Sequence, residues 1–179
     1  MNTYHNVLFY EDNLEDYFDG VFLAGPTVRN GNFEDSWRKE AIKFLREVGY
    51  DGYIVVPECL SSVNYSTLDH DNIIEWELEG MRKSLVVMFW VPRSTELPGF
   101  TTNVEFGYNI GICATRVVLG YPENAERMKY LDYIYRKFGY GDKPQHTLID
   151  TCKRVKKVHE GRMIIKQCEL SMEDVEEDE

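Results

Sequence analysis

The sequence predicts an α/β fold, a doubly wound parallel sheet with helices on both faces. Three observations lead there. Short apolar runs alternate with longer segments of helical period, in the order βαβαβαβα. The most apolar run, Leu85 to Val91, shows no inside–outside alternation, as suits a strand covered on both faces. The apolar runs also stop at glycine or proline, and successive parallel strands then require right-handed crossovers.

The elements follow in order. VFLAG (21–25) reads as a strand that Gly25-Pro26 ends. Residues 36–48 place Trp37, Ala41, Leu45 and Val48 on one helical face, closed by Gly49. YIVV (53–56) ends at Pro57. Asn72, with Glu75 three residues on, offers an N-cap for a helix through Arg82 that turns Ile74, Leu78 and Met81 to the sheet. Leu85 to Val91 stops at Pro92, and a helix from Asn103 to about Ala114 leads to RVVLG (116–120). Helical stretches near 124–138 and 145–159 follow, and NVLFY (6–10) and RMIIKQCEL (162–170) read as added edge strands. The domain organisation expected is an acidic extension over 1–19, one α/β domain over 20–168, and a disordered acidic tail over 169–179.

Composition narrows the function. At 43% apolar and 13% aromatic residues, the 179-residue chain has enough to bury a core, which excludes a wholly disordered protein. The net charge of −11 sits at the ends: residues 1–20 hold five acids and 169–179 hold seven, neither with Lys or Arg, leaving 19 of the 31 acids against all 20 bases between them. A nucleic-acid partner is therefore not expected. The longest apolar run, of seven residues, is far short of a membrane span, and the acidic N-terminus has no basic region of a signal peptide. Four cysteines without CxxC spacing suggest reduced thiols and a cytoplasmic protein, and no His/Cys pattern suggests a metal.

Ligands of open α/β sheets bind beyond the carboxyl ends of the strands. Neither GxGxxG, GxxxxGK[ST] nor GxSxG occurs, which disfavours dinucleotides, P-loop nucleotides and nucleophile-elbow chemistry. Two acidic clusters remain. Glu105 lies in PGFTTNVEFG (98–107), after the central strand, where Thr102 to Glu105 also spells a capping box; on the sequence alone the capping role outweighs a chemical one. Gly107 and Gly111 give that helix a bare face. Glu75, Glu77 and Glu79 alternate along the preceding helix, where a solvated face is the default and Trp76 offers a ring for stacking or for the core.

VFLAGPT, SWRKEAIKFLREVGYDGYIVVPE, IIEWELEGMRKS, VVMFWVPR, LPGFTTNVEFG and VVLGYP occur in the order and spacing of the nucleoside 2-deoxyribosyltransferase-like family, which the chain resembles over about residues 20–135. The resemblance implies a flavodoxin-like sheet, a glutamate nucleophile at Glu105, a helper carboxylate at Glu77, and a sugar-side wall formed by Gly25 and Pro26 with Phe22. It implies base exchange between 2′-deoxynucleosides through a covalent deoxyribosyl ester, with a free nucleobase as second substrate and no cofactor. It also implies a homo-oligomer with a shared active site; Tyr130, Tyr133, Tyr135 and Phe138 are too many rings for one buried stripe and suit either an interface or a second core layer under the 145–159 helix. Two departures stand out: Ser84-Leu85 replaces a Ser-Asp pair common in relatives, a structural change, and Arg93 occupies a position where relatives carry an acid, which favours a 5′-monophosphate and N-glycosidic hydrolysis as alternatives. Asn103 and Arg93 are the expected polar contacts to substrate, Trp76 or Phe22 the stacking residues. A non-catalytic nucleotide-binding module is the third reading.

Overall fold

The computed structural model describes residues 4–27, 33–60, 68–139 and 142–176, with side chains through 170. Five parallel strands form one sheet: β1 (Val7–Phe9), β2 (Val21–Ala24), β3 (Ile54–Val56), β4 (Val86–Trp90) and β5 (Val117–Gly120). Their order is β1-β3-β2-β4-β5. The chain leaves β2 for β3 on one side and returns to β4 on the other, so strand order reverses beside β2. That reversal is the switch point where such sheets open a crevice.

Five α-helices accompany the strands: α1 (Trp37–Glu47), α2 (His70–Lys83), α3 (Phe100–Cys113), α4 (Lys129–Phe138) and α5 (Leu148–Glu176). Alternate residues of each strand feed two cores. Val21, Leu23, Val86 and Met88 meet α1 and α5, whereas Phe22, Ala24, Val87 and Phe89 meet the α2–α4 side. The architecture is the doubly wound, flavodoxin-like one expected, with every residue of β2 to β5 buried.

Several elements differ from the sequence reading. Residues 162–170 are helix, the continuation of α5, and not an edge strand. The pair Ile164-Ile165 has strand propensity, but both side chains are exposed and the helical frame set by the buried Leu148, Cys152 and Val155 carries through them. That helix runs on into the acidic segment. NVLFY does provide an edge strand, β1, paired with β3. Residues before 20 pack on the domain through Leu14 and Tyr17, and Lys83 Nζ donates to the carbonyls of Leu14 (2.7 Å) and Glu15 (3.0 Å). Helix α2 starts three residues earlier than Asn72 would have it, because Asp69 caps it by accepting from the Asp71 N–H at 3.0 Å. Ile74 and Leu78 turn outward, against the sequence reading, and Gly80 and Met81 face the sheet.

Candidate active site

The carboxyl end of β2, at the switch point, is built around the buried Arg38. This residue is the first of a buried stripe on α1 that continues through Ala41, Ile42 and Leu45. Its Nε donates to the Leu23 carbonyl at 2.9 Å, Nη2 to the Gly25 carbonyl at 2.6 Å, and Nη1 to Thr27 Oγ1 at 3.0 Å and to the Glu58 carboxylate. The guanidinium thus ties the end of β2 to the end of β3. Gly25, with φ of 150°, lies against β4: a Cβ there would stand 2.2 Å from the Trp90 carbonyl oxygen. Only glycine permits that approach.

Across the crevice, α3 begins at Phe100. Its N-cap is Gly99 in the left-handed conformation (φ 58°), set against Pro26, with no side-chain cap. The capping box read from Thr102 to Glu105 therefore does not form. Thr102 is already helical and buried, and Glu105 sits in the second turn. The Pro98-Gly99 turn, and not a Thr side chain, starts the helix.

Glu105 on α3 and Glu77 on α2 are both half-buried, and Glu77 senses the charge of Glu105. Burial raises the Glu77 carboxyl to about 8; the charge of Glu105 pushes the same way and Arg38 opposes. Burial likewise raises Glu105, again against Arg38. With its carboxyl raised to about 8, Glu77 holds its proton at neutral pH. Behind them a buried network fixes α3. Asn109 donates to the Glu105 carbonyl (2.9 Å) and to Met81 Sδ (3.1 Å), and accepts from Arg116 (2.5 Å), which also donates to the Met81 carbonyl (2.9 Å). The turn carrying Glu105 is thereby pinned to α2.

The other expected residues divide. Gly25 and Pro26 border the crevice, Pro26 accepting from Trp37 Nε1 at 3.1 Å. Phe22 is 1% exposed and underlies α2, its ring where a Cβ on Gly80 would fall. Trp76 is half-buried and committed to the N-terminal segment, with Nε1 donating to the Asp12 carbonyl (3.1 Å) and its ring edge-on to Tyr10. Arg93 and Asn103 bond to each other at 2.6 Å and line a groove between α3 and α4. Asn103 and Glu105 are about 160° apart around the helix. The structure therefore brings Glu77 and Glu105 together and holds Arg93 with Asn103 on the opposite flank. Among the described residues, no group of three or more His, Cys, Asp or Glu side chains could hold a metal ion, and no helix is long and apolar enough to cross a membrane.

A family model described as nucleoside 2-deoxyribosyltransferase like matches residues 19–123, from the loop before β2 to the turn after β5. The chain belongs to the nucleoside 2-deoxyribosyltransferase-like family. No curated protein matches it. Membership supports enzymatic activity of the deoxyribosyltransferase kind on a nucleoside-type substrate, and the matched span contains Arg38, Glu58, Glu77 and Glu105. Sequence reasoning missed Arg38, Glu58 and Asn109. A signal for Arg38 existed: an arginine in phase with Ala41, Ile42 and Leu45 cannot face solvent when they face the sheet.

Proposed function

We propose that this member of the nucleoside 2-deoxyribosyltransferase-like family exchanges the base of 2′-deoxynucleosides through an ester on Glu105. The observation that carries the reading is the pair of half-buried glutamates on α2 and α3, both raised by burial and both facing the charge of Arg38, with Glu77 raised to about 8 under the added charge of Glu105. The ionised Glu105 attacks C1′; the C1′–N bond breaks with its electrons leaving on the base, and Glu77 supplies the proton the base takes up. The incoming base then attacks C1′, the ester bond breaks, and the proton returns to Glu77. Both carboxyl groups end as they began. A 2′-deoxy sugar suits this course because it lacks the electron-withdrawing hydroxyl that destabilises positive charge at C1′. Gly25 and Pro26, with the Arg38 network holding them, form the sugar-side wall.

Phosphate recognition is not part of this reading, because Arg93, the residue that suggested it, lies on the far flank of α3. Glu105 as a mere cap is not part of it either, since Gly99 starts the helix. A homo-oligomer that completes the cleft is part of it. Phe100, Val104, Tyr108 and Ile112, spaced by four along α3, expose 70%, 74%, 54% and 60% of their surface. Such a ridge on a helix is the mark of a partner surface.

Deoxyinosine incubated with and without free adenine, followed by chromatography, tests the reaction. Deoxyadenosine and hypoxanthine formed only with adenine is the expected result. Hypoxanthine released without adenine would make the reaction hydrolysis, and no turnover in either arm would leave a binding module.

A further inference from the structure

We propose that the groove between α3 and α4 is a second binding site, for a small amphipathic anion whose carboxylate or phosphate head meets Arg93 and Arg127 while its apolar body lies along Gly107 and Gly111. The groove has a volume of about 970 Å³, at the upper end of ordinary small-molecule sites. Phe106 and Ile110 of α3 and Leu131 and Ile134 of α4 form its walls. A Cβ added at Gly107 or Gly111 would meet no atom within 4 Å, so the bare stripe of α3 faces open space. Two glycines in a helix interior cost stability, and no close backbone packing requires them here.

The head of the groove is cationic and incompletely satisfied. Arg93 is 7% exposed. Its Nη2 donates to Asn103 Oδ1 at 2.6 Å and its Nη1 only at 3.4 Å to the Arg127 carbonyl, while its Nε has no partner. Burial and the like charge of Arg127 both act to lower the Arg93 pKa. No carboxylate bonds to Arg93 among the described residues. Glu126, at the mouth, bonds through its carboxylate to Thr95 (3.4 Å) and donates its backbone N–H to the Arg93 carbonyl (3.0 Å). Arg127 is itself held in the left-handed region at φ 53°, an uncommon conformation for a residue with a side chain. A buried guanidinium with a free N–H beside a second cation is complementary to an anion, and planar oxyanions match its donor geometry. The apolar walls select the rest of the ligand. This site is independent of the reaction proposed at Glu77 and Glu105.

Titration calorimetry on the full chain, with decanoate, decyl phosphate and decanol below their aggregation limits, tests the site. Both anions should bind at a single site per chain, about tenfold or more tighter than decanol, and the better of the two identifies the head. Arg93→Met should erase the advantage of the anions over the alcohol. Gly111→Leu should fill the groove and abolish binding, with a melting temperature equal to or above that of the wild type. If Arg93→Met does not fold, the decanol comparison and Gly111→Leu decide the matter alone. Equal affinity for decanol and decanoate, no binding of either anion, or binding unaffected by Gly111→Leu would overturn the proposal. So would a change in oligomeric state of Gly111→Leu with no anion uptake by the wild type, which would make the groove a subunit contact.

Discussion

One neighbouring charge distinguishes the electrostatic settings of Glu77 and Glu105. Arg38 opposes the effect of burial at both, but only Glu77 is also raised by a carboxylate, that of Glu105. Glu105→Gln keeps the shape and removes the proposed nucleophile, so turnover of deoxyinosine should fall by about 1,000-fold or more with an unchanged circular dichroism spectrum. Activity within tenfold of the wild type would remove Glu105 from the mechanism. Glu77 makes a prediction about stability as well. Its pKa is raised from an ordinary 4.5 to about 8 in the folded chain, so the folded state binds a proton that the unfolded state has released between those values. Its contribution to stability is therefore fully present below about pH 4.5 and is lost as pH rises through about 8. The acids held below the ordinary carboxylate range, Glu79, Asp132 and Asp150, titrate beneath that window and do not mask the trend. Melting temperatures taken from pH 5 to pH 8.5 should fall for the wild type and fall less for Glu77→Gln, which needs no proton. Parallel curves for the two proteins would show that Glu77 is not perturbed. Both glutamates were legible in the sequence by position and by resemblance. Their electrostatic setting was not, because part of it is the charge of Arg38, which lies on a helix some 40 residues earlier in the chain than Glu77.

Elements were legible where one local signal dominated and illegible where two competed. Strands β2 to β5 read correctly because each is an apolar run stopped by glycine or proline; β1 has no such stop, and 162–170, read as a strand, is helix. At the start of α3 two signals were present, a capping box at Thr102 and a Pro98-Gly99 turn; the turn prevailed because Gly99 alone can take the left-handed conformation against Pro26. At α2 the start lies at Asp69 and not at Asn72, and the buried face is set by the long-range packing of Gly80 on Phe22, which leaves Ile74 and Leu78 outside. The same reasoning separates the glycines by their expected response to alanine. Gly107→Ala and Gly111→Ala should each stabilise the chain by about 1 kcal/mol, the difference in helix propensity, since nothing lies within 4 Å of the added carbon. Gly25→Ala should destabilise by several-fold more, about 3 kcal/mol or above, because its carbon would overlap the Trp90 carbonyl and disturb the Gly25–Arg38 hydrogen bond. Urea denaturation of the three variants measures both signs, and a loss of stability at Gly107 or Gly111 would mean that the α3–α4 groove is closed.

At the scale of the whole molecule, the distribution of apolar surface argues for assembly. Inside, the sheet is fully covered by α1 and α5 on one side and by α2, α3 and α4 on the other. Outside, apolar side chains concentrate on the α2–α4 side: Ile74 and Leu78 on α2, the four-residue ridge of α3, and Tyr130, Tyr133 and Phe138 on α4. Of the four rings in α4, only Tyr135 turns into the core, so the aromatic surplus noted in the sequence is displayed on the surface. Displayed rings and branched aliphatics at this density supply the contact area of an interface core. The ridge also passes directly beside Glu105, so a second copy seated on it would wall the cleft. Opposing this, each chain carries a net charge of −11, concentrated toward its two ends. Exposed charges are screened beyond about 8 Å at physiological salt, so the repulsion weakens association at low salt without preventing it at higher salt. Light scattering at micromolar protein should thus give a multiple of 21.0 kDa, with the oligomer favoured as salt is raised. Val104→Asp combined with Ile112→Asp places two charges on the ridge and should yield a folded monomer. If the cleft is completed by the neighbour, that monomer loses turnover although both glutamates remain. A wild-type chain that scatters as a 21.0 kDa monomer at full activity would refute the shared site and leave the α3 ridge to a different partner.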